Sequence, residues 1–293
     1  MTFKNLAQFQ EAFPDEKACR AYFEQVRFAS GDYCPHCKHD KINRFSDGKR
    51  YRCAKCKRDF TIKTDTIFGE SKLPLKTWFT AIFLLTSRKK GVSSIELASM
   101  CGVSQKTAWF MDHRIREALK QGGGKLFGVV QVDETYTGGK HVRKDGFRKK
   151  QAVMGMIEPK GRVKTFAIPH RGTEVLLPLI KEHIDPKAHI MSDEARVYKK
   201  LPRTGYRHGS VKHGKKHWAY GDINTNSIES FWALFKRGYH GTYHSMSKKH
   251  IQRYLDEFAF RFNSRSEDMD VLFTLATASV AKSGKLPYKA LTA

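Results

Sequence analysis

The sequence predicts a mixed α/β core preceded by a zinc ribbon and a helix-turn-helix module, and three observations lead there. Two short apolar runs close in acids, Gly128-Val-Val-Gln-Val-Asp133-Glu134 and Ala188-His-Ile-Met-Ser-Asp193-Glu194. Runs of this kind read as strands buried on both faces, and a carboxylate where such a strand leaves the core is a candidate functional group. Two Cys-x-x-Cys pairs come earlier, Cys34-Pro-His-Cys37 and Cys53-Ala-Lys-Cys56. Between pairs and strands lies a helical stretch interrupted at Gly102.

Composition narrows the function classes. The 293 residues can bury one large core plus one or two small modules. With 54 Lys+Arg against 29 Asp+Glu the formal net charge is +25, which favours a polyanionic partner, nucleic acid first, because each neutralised phosphate releases a counterion. A basic membrane surface is the alternative, but the richest apolar segment, Trp78 to Leu85, is far short of the roughly 20 residues that cross a bilayer. The start, Met-Thr-Phe-Lys-Asn-Leu, lacks a secretion signal, so a cytoplasmic, reducing location is expected. There, paired cysteines are more often metal ligands than disulfides.

From the N-terminus, Phe9, Phe13, Cys19, Tyr22, Phe23 and Val26 recur at helical spacing, with Pro14-Asp15-Glu16 opening a second helix and Cys19 expected in the core. The cysteine pairs follow, fifteen residues apart, around a hairpin formed by Ile42 to Phe45 and Arg50 to Ala54 with a turn at Ser46-Asp-Gly48. Two such turns supply a closed tetrahedral site, so Cys34, Cys37, Cys53 and Cys56 are read as ligands of one structural zinc; a pair of redox dithiols is the alternative. His36 and His39 could replace a thiolate, but four thiolates leave no vacancy.

From Leu73-Pro74 the pattern turns helical. Ser93 with Glu96 fits a capping box, Gly102 permits a tight turn, and Ser104 can cap a helix to about Leu119, with Cys101 expected to be buried. In a helix-turn-helix, Gln105, Lys106 and Thr107 would open the recognition helix, where groove contacts are made; a helical hairpin in a core is the alternative. Gln121-Gly-Gly-Gly-Lys125 reads as a flexible joint. Beyond it are a strand over 126–134, a basic loop over 138–150 with Lys140, Arg143 and Arg148, and strands over 152–158 and 163–168 joined through Pro159-Lys-Gly161. A helix over 174–184, the strand to Asp193, a basic segment over 207–217, a helix from Asn226 and amphipathic helices over 251–262 and 269–281 complete the chain. Tyr254, Phe258 and Phe262 recur every four residues and are core positions.

Three acids stand out. Asp133 and Asp193 close strands, and Glu229 lies in the first turns of the helix Asn226-Ser-Ile-Glu229-Ser-Phe-Trp232. Phosphoryl transfer on DNA uses two divalent metals about 3.5–4 Å apart, and carboxylates suit hard magnesium. Asp133 would bridge the metals, with Asp193 and Glu229 each completing one site; Glu134 and Glu194 should point elsewhere. Lys236, on the face beside Glu229, could hold a phosphate, or could simply favour the helix dipole. Alternatively the aspartates satisfy turn amides and Glu229 returns a capping box to Asn226.

Taken together, the ribbon, the helix-turn-helix pattern, Val132-Asp133-Glu134-Thr-Tyr, Ser192-Asp193, Asn226-x-x-Glu229-Ser-Phe-Trp232 with Lys236, and Tyr254-Leu-Asp-Glu-Phe-Ala-Phe-Arg-Phe-Asn263 resemble the DDE transposases of bacterial insertion sequences, ISXO-type branch. The resemblance covers nearly the whole chain. It implies a ribonuclease-H-like mixed sheet over 125–265, preceded by a helical lead-in (1–30), the ribbon (31–65) and the helix-turn-helix (72–120), and followed by a C-terminal helix and tail (266–293). It also implies magnesium or manganese dependence and cut-and-join chemistry: hydrolysis at the element's end, then attack of the freed 3′-hydroxyl on target DNA. Two inverted repeats held at once imply a homodimer or larger assembly on DNA. This branch is often described with Asn as third catalytic residue; Glu229 is preferred here because an anionic oxygen binds magnesium better, and Asn226 remains a possible ligand. The rival expectations are a catalytically silent DNA-binding regulator and a structure-selective nuclease.

Overall fold

The computed structural model describes residues 2–120, 122–138, 150–211, 219–220 and 223–292. The chain divides into two compact units, Met1–Leu119 with Ser266–Ala293, and Lys120–Arg265.

The first unit begins with α1 (Leu6–Ala12) and α2 (Glu16–Arg27), whose opening N–H groups are met by the side chains of Asn5 and Asp15. A three-stranded antiparallel sheet follows, β1 (Ile42–Arg44), β2 (Arg50–Cys53) and β3 (Asp59–Thr61), in that order. The hairpin spacing predicts two strands; Asp59–Thr61 adds the third, with Phe60 paired to and stacked on Tyr51 at 5.3 Å between ring centroids. Arg44 ties this sheet to α2 through Glu24 and to the preceding loop through Asp32.

Helices α3 (Leu75–Ser87), α4 (Ser94–Cys101) and α5 (Gln105–Ala118) follow. Ser93 accepts the N–H of Glu96, but the return half of the capping box is not among the described bonds: the Glu96 carboxylate takes Arg88 instead, at 2.5 Å. Gly102 closes α4 at a φ of 63°, a left-handed conformation that glycine adopts without Cβ strain. Ser104 caps α5 by accepting the N–H of Thr107. Cys19 is fully buried as its place on the apolar stripe predicts, whereas Cys101 is only half-buried.

The second unit holds one mixed sheet of five strands, β4 (Val129–Thr137), β5 (Gln151–Ile157), β6 (Val163–Ile168), β7 (His189–Ser192) and β8 (Arg207–Ser210). Their order is β6-β5-β4-β7-β8; β4, β5 and β6 run antiparallel, and β7 and β8 run parallel to β4. Two differences from the sequence reading follow from pairing. β4 does not end at its acids but continues to Thr137, because β5 pairs with it as far as Thr137↔Gln151. Residues 207–210, read as part of a basic segment, form the fifth strand; at a sheet edge Arg-His-Gly-Ser can pair through its backbone without an apolar pattern.

Between β6 and β7 runs α6 (Thr173–His183), and a 3-10 segment, Arg196–Thr204, leads into β8. A short hairpin, β9 (Ala219–Tyr220) with β10 (Ile223–Asn224), precedes α7 (Asn226–Gly238), and α8 (Ile251–Asn263) follows. Alternate residues of the strands face opposite sides. Val130, Val132, Met154 and Ile190 pack with Leu176, Ile180 and Tyr198 on one side; Val153, Ile157 and Val163 pack with Phe231, Trp232, Phe235 and Phe258 on the other. Burying each of these large side chains contributes about 1.5–3 kcal/mol.

The chain then returns to the first unit as α9 (Met269–Lys282) and α10 (Tyr288–Thr292). Phe273 of α9, fully buried, lies 5.2–5.8 Å from the rings of Phe3, Phe9, Phe13, Tyr22 and Phe79. No helix of the described residues is long and apolar enough to cross a membrane.

Candidate functional site

Two matched turns build the ribbon centre. In each, the residue after the second cysteine, Lys38 or Lys57, takes a positive φ (61° and 59°) and donates its N–H to the carbonyl of the first cysteine, Cys34 or Cys53. The four sulfurs thereby converge to within 4.8 Å of one another, with Cys34 to Cys56 at 3.7 Å and Cys37 to Cys53 at 3.5 Å. A tetrahedral zinc with bonds of about 2.3 Å sets its sulfurs about 3.8 Å apart, so the donor set fits zinc closely. Burial opposes a thiolate at Cys53, but the N–H groups of Cys56 and Lys55 and the thiols of Cys37 and Cys56 outweigh it and bring that thiol down to about 6. His36 and His39 are not in the cluster.

The acidic face is built differently. The parallel pairing of β4 with β7 ends at Gln131↔Met191; two residues beyond each partner stand Asp133, still in β4, and Asp193, just past the end of β7. Across β4 on its other side, Asp133 pairs with Gly155. Burial pushes the Asp133 carboxyl up to about 6; the Asp193 charge adds to this, the Glu134 N–H opposes it, Glu229 raises it again and Lys236 lowers it. Side chains from β4, the end of β7 and α7 therefore share one electrostatic neighbourhood. Among the described residues the cysteines are the one group of three or more such ligands drawn within 4.8 Å, so the three carboxylates form a wider set. Oxygen donors that repel one another suit a hard divalent cation, which would relieve that repulsion.

Each acid has its own support. Asp193 accepts the N–H of Ala195 at 3.0 Å, the turn role weighed for it from sequence. Ser192 before it bonds His208 Nε2 at 2.9 Å, tying the end of β7 to β8. Glu229 is held by the Thr225 hydroxyl, which donates to its Oε1 at 2.7 Å. Thr225, not Asn226, is therefore the residue flanking the helix; Asn226 is its first residue and exposed, as is Lys236 two turns beyond Glu229. Glu134 points to the opposite side of the sheet, where it accepts the Tyr198 hydroxyl and lies 3.9 Å from Arg171. Burial, opposed by the Tyr198 hydroxyl, raises its carboxyl to about 7.

In the α4–α5 pair, Gln105 and Lys106 are exposed and Thr107 is half-buried. Gln105 donates to Ser94 Oγ at 2.9 Å, the Lys106 ammonium lies 5.7 Å from the Tyr288 ring centroid, and the Thr107 hydroxyl is 2.9 Å from that of Ser104. Lys140, Arg143 and Arg148 lie outside the described residues, as do residues 212–218 of the second basic segment.

The description of the ISXO2-like transposase domain matches residues 125–263, and that of the transposase zinc-ribbon domain matches residues 14–59. An uncharacterized transposase-like protein of Haemophilus influenzae is 30% identical over 105 residues, 36% of this chain and 84% of that protein. This chain belongs to the ISXO2-like transposase family. An uncharacterized protein in transposable element ISH50 of Halobacterium salinarum is 26% identical over 275 residues, 86% of this chain and 92% of the relative. A simian T-cell lymphotropic virus intasome structure, in complex with a PP2A regulatory subunit, matches at 12% identity over 61% of this chain and 65% of that chain, with a TM-score of 0.29, too low to bear on the fold.

In this ISXO2-like chain several residues around the acidic face escaped the sequence reading. Gln131 is 1% exposed on the same side of β4 as Asp133, and its side-chain oxygen accepts the N–H groups of Ser227 and Ile228 at 3.0 and 3.1 Å. A lone amide inside the apolar run Val-Val-Gln-Val was its one visible signal. Gly155 and Thr225 carried no comparable signal, because their roles depend on partners distant in the chain.

Proposed function

We propose that this chain is a DNA transposase that binds the inverted repeats of an insertion sequence and catalyses magnesium- or manganese-dependent strand cleavage and strand transfer. The observation that carries this reading is the shared electrostatic neighbourhood of Asp133, Asp193, Glu229 and Lys236 in a domain matched to ISXO2-like transposases. The strand order β6-β5-β4-β7-β8, antiparallel on one side of β4 and parallel on the other, supports a ribonuclease-H-like catalytic fold. The α4–α5 pair, joined through Gly102, supports a helix-turn-helix with Gln105, Lys106 and Thr107 at the DNA.

Asp133, Asp193 and Glu229 would hold the divalent metal, which when bound supplies charge stabilisation for the attacking and leaving oxygens of an in-line displacement. Lys236, exposed beside this face, binds a phosphate of the scissile strand and orients it. Thr225 holds the Glu229 carboxylate in one orientation, and Asn226 is the alternative oxygen donor one helical turn earlier. Lys140, Arg143 and Arg148 track DNA backbone, and the net charge of +25 suits an assembly of two chains holding two DNA ends.

The test is end-specific strand transfer by the purified chain on DNA carrying the element's inverted repeats, with and without magnesium. Magnesium-dependent cleavage and joining are expected. Cleavage without joining would instead make it a nuclease, and binding without cleavage a silent regulator. Separate Glu229→Gln and Asn226→Ala variants decide the third ligand: the glutamine change is expected to abolish cleavage, and loss through the alanine change alone would transfer the role to Asn226.

A further inference from the structure

A helix leaves its first N–H groups without intrahelical partners, and a Ser, Thr, Asp or Asn at the N-cap ordinarily accepts one of them. The flanking residue of α7 is Thr225, which makes no such cap because its hydroxyl is turned to Glu229. The N–H groups of Ser227 and Ile228 go instead to the side-chain oxygen of Gln131, at 3.0 and 3.1 Å. The cap thus comes from β4, two residues before Asp133 and on the same side of the sheet. Opposite Asp133, Gly155 completes the fit: a Cβ there would come 2.6 Å from Trp232 Cζ2 and 2.7 Å from Ile228 Cδ1. Real Cβ atoms are not found that close to other heavy atoms, so α7 lies against bare backbone.

We infer that Gln131 and Gly155 are positioning residues that set the start of α7 against β4, and thereby fix Glu229 relative to Asp133. The inference rests on the reading of these acids as the metal-binding face. Gln131 fixes the helix along and around its axis by gripping two successive N–H groups, and Gly155 fixes its distance from the sheet. Glutamine suits the task because its oxygen accepts both N–H groups while adding no further negative charge beside three carboxylates.

The experiment measures Mn²⁺ binding to the full chain by electron paramagnetic resonance, alongside zinc content and thermal unfolding, for wild type, Gln131→Met, Gln131→Glu, Gly155→Ala and Asp133→Asn. Gln131→Met keeps the length but removes the acceptor and is expected to weaken Mn²⁺ binding about 10- to 100-fold, the usual range for residues that support metal ligands. Gln131→Glu restores an acceptor and is expected to recover Mn²⁺ affinity relative to Gln131→Met. Gly155→Ala, which pushes α7 off the sheet while leaving the Gln131 side chain itself unchanged, is expected to weaken binding as well. Unchanged affinity in Gln131→Met or Gly155→Ala overturns the inference; where one variant does not fold, the other decides. Asp133→Asn separates the two readings: if it abolishes binding while the positioning variants do not, the inference alone fails, and if binding survives it, the acidic-site reading fails and takes the inference with it.

Discussion

In the ribbon, four sulfurs lie within 4.8 Å of one another because two short turns, each closed by its own backbone hydrogen bonds, point them inward. On the acidic face, carboxylates at 133, 193 and 229 come into one electrostatic neighbourhood only once β7 has paired with β4 and the start of α7 has docked on Gln131 of β4. The first is a local arrangement that needs little beyond its own residues and a metal. The second depends on the whole sheet, and in the site proposed above its precision would rest on residues outside the ligand set: Gln131, Gly155, Thr225 and Ser192 with His208. A ligand set written into a local motif can be recognised from spacing, whereas one assembled by tertiary packing has to be sought in the contacts of its supports.

That contrast can be broken at either end. Cys53→Ser should have the largest effect, loss of bound zinc and unfolding of the β1–β2–β3 hairpins, since structural zinc contributes roughly 10 kcal/mol or more to small domains of this kind. Zinc analysis and amide exchange would follow it, with the amides of β4 to β8 keeping their protection; if those amides lose protection equally, the ribbon is not the self-contained element its turns suggest. Next in size, Asp133→Asn should lower strand cleavage at least about 10³-fold, because metal stabilisation is worth several kcal/mol and about 1.4 kcal/mol is a factor of ten. Zinc content and DNA binding, measured on the same sample, should not change, and a variant that still cleaves at the wild-type rate removes Asp133 from the chemistry. The smallest effect belongs to Thr225→Val, nearly the same shape without the hydroxyl. Losing a hydrogen bond to a charged group costs about 1.5–3 kcal/mol, so cleavage should fall by about ten- to a hundredfold while the melting temperature moves little. A normal rate would mean that something other than Thr225 orients Glu229.

What could be read in advance follows the same division. Cys34, Cys37, Cys53 and Cys56 announce themselves by spacing, and Asp15, Ser93 and Ser104 stand where helix starts require them. Asp133, Asp193 and Glu229 were visible as acids at the ends of apolar runs or near a helix start and were expected to share a site, but the strand order that sets β4 beside β7 was not legible, because it is settled by packing between distant segments. The edge strand β8 was hidden because a strand paired on one side can be polar, and the end of β4 was misplaced because its length is set by β5 rather than by its own residues. The cap on α7 was unreadable for a related reason. Local rules expect the acceptor at the helix's own threshold, and here it sits nearly a hundred residues upstream.

The return of α9 to the first unit has a practical corollary for anyone who would divide this chain. The unit carrying the acidic face is an insert, entered after Leu119 and left before Ser266, with both flanks belonging to one body. A protease nick in the triglycine joint would leave the N-terminal piece gripping Phe273 through its ring of aromatic neighbours, so the two fragments should travel together through a sizing column. A clone ending at residue 119 would instead leave that phenylalanine's socket empty, and the natural way to isolate the first unit is to splice its two segments together and leave the insert out.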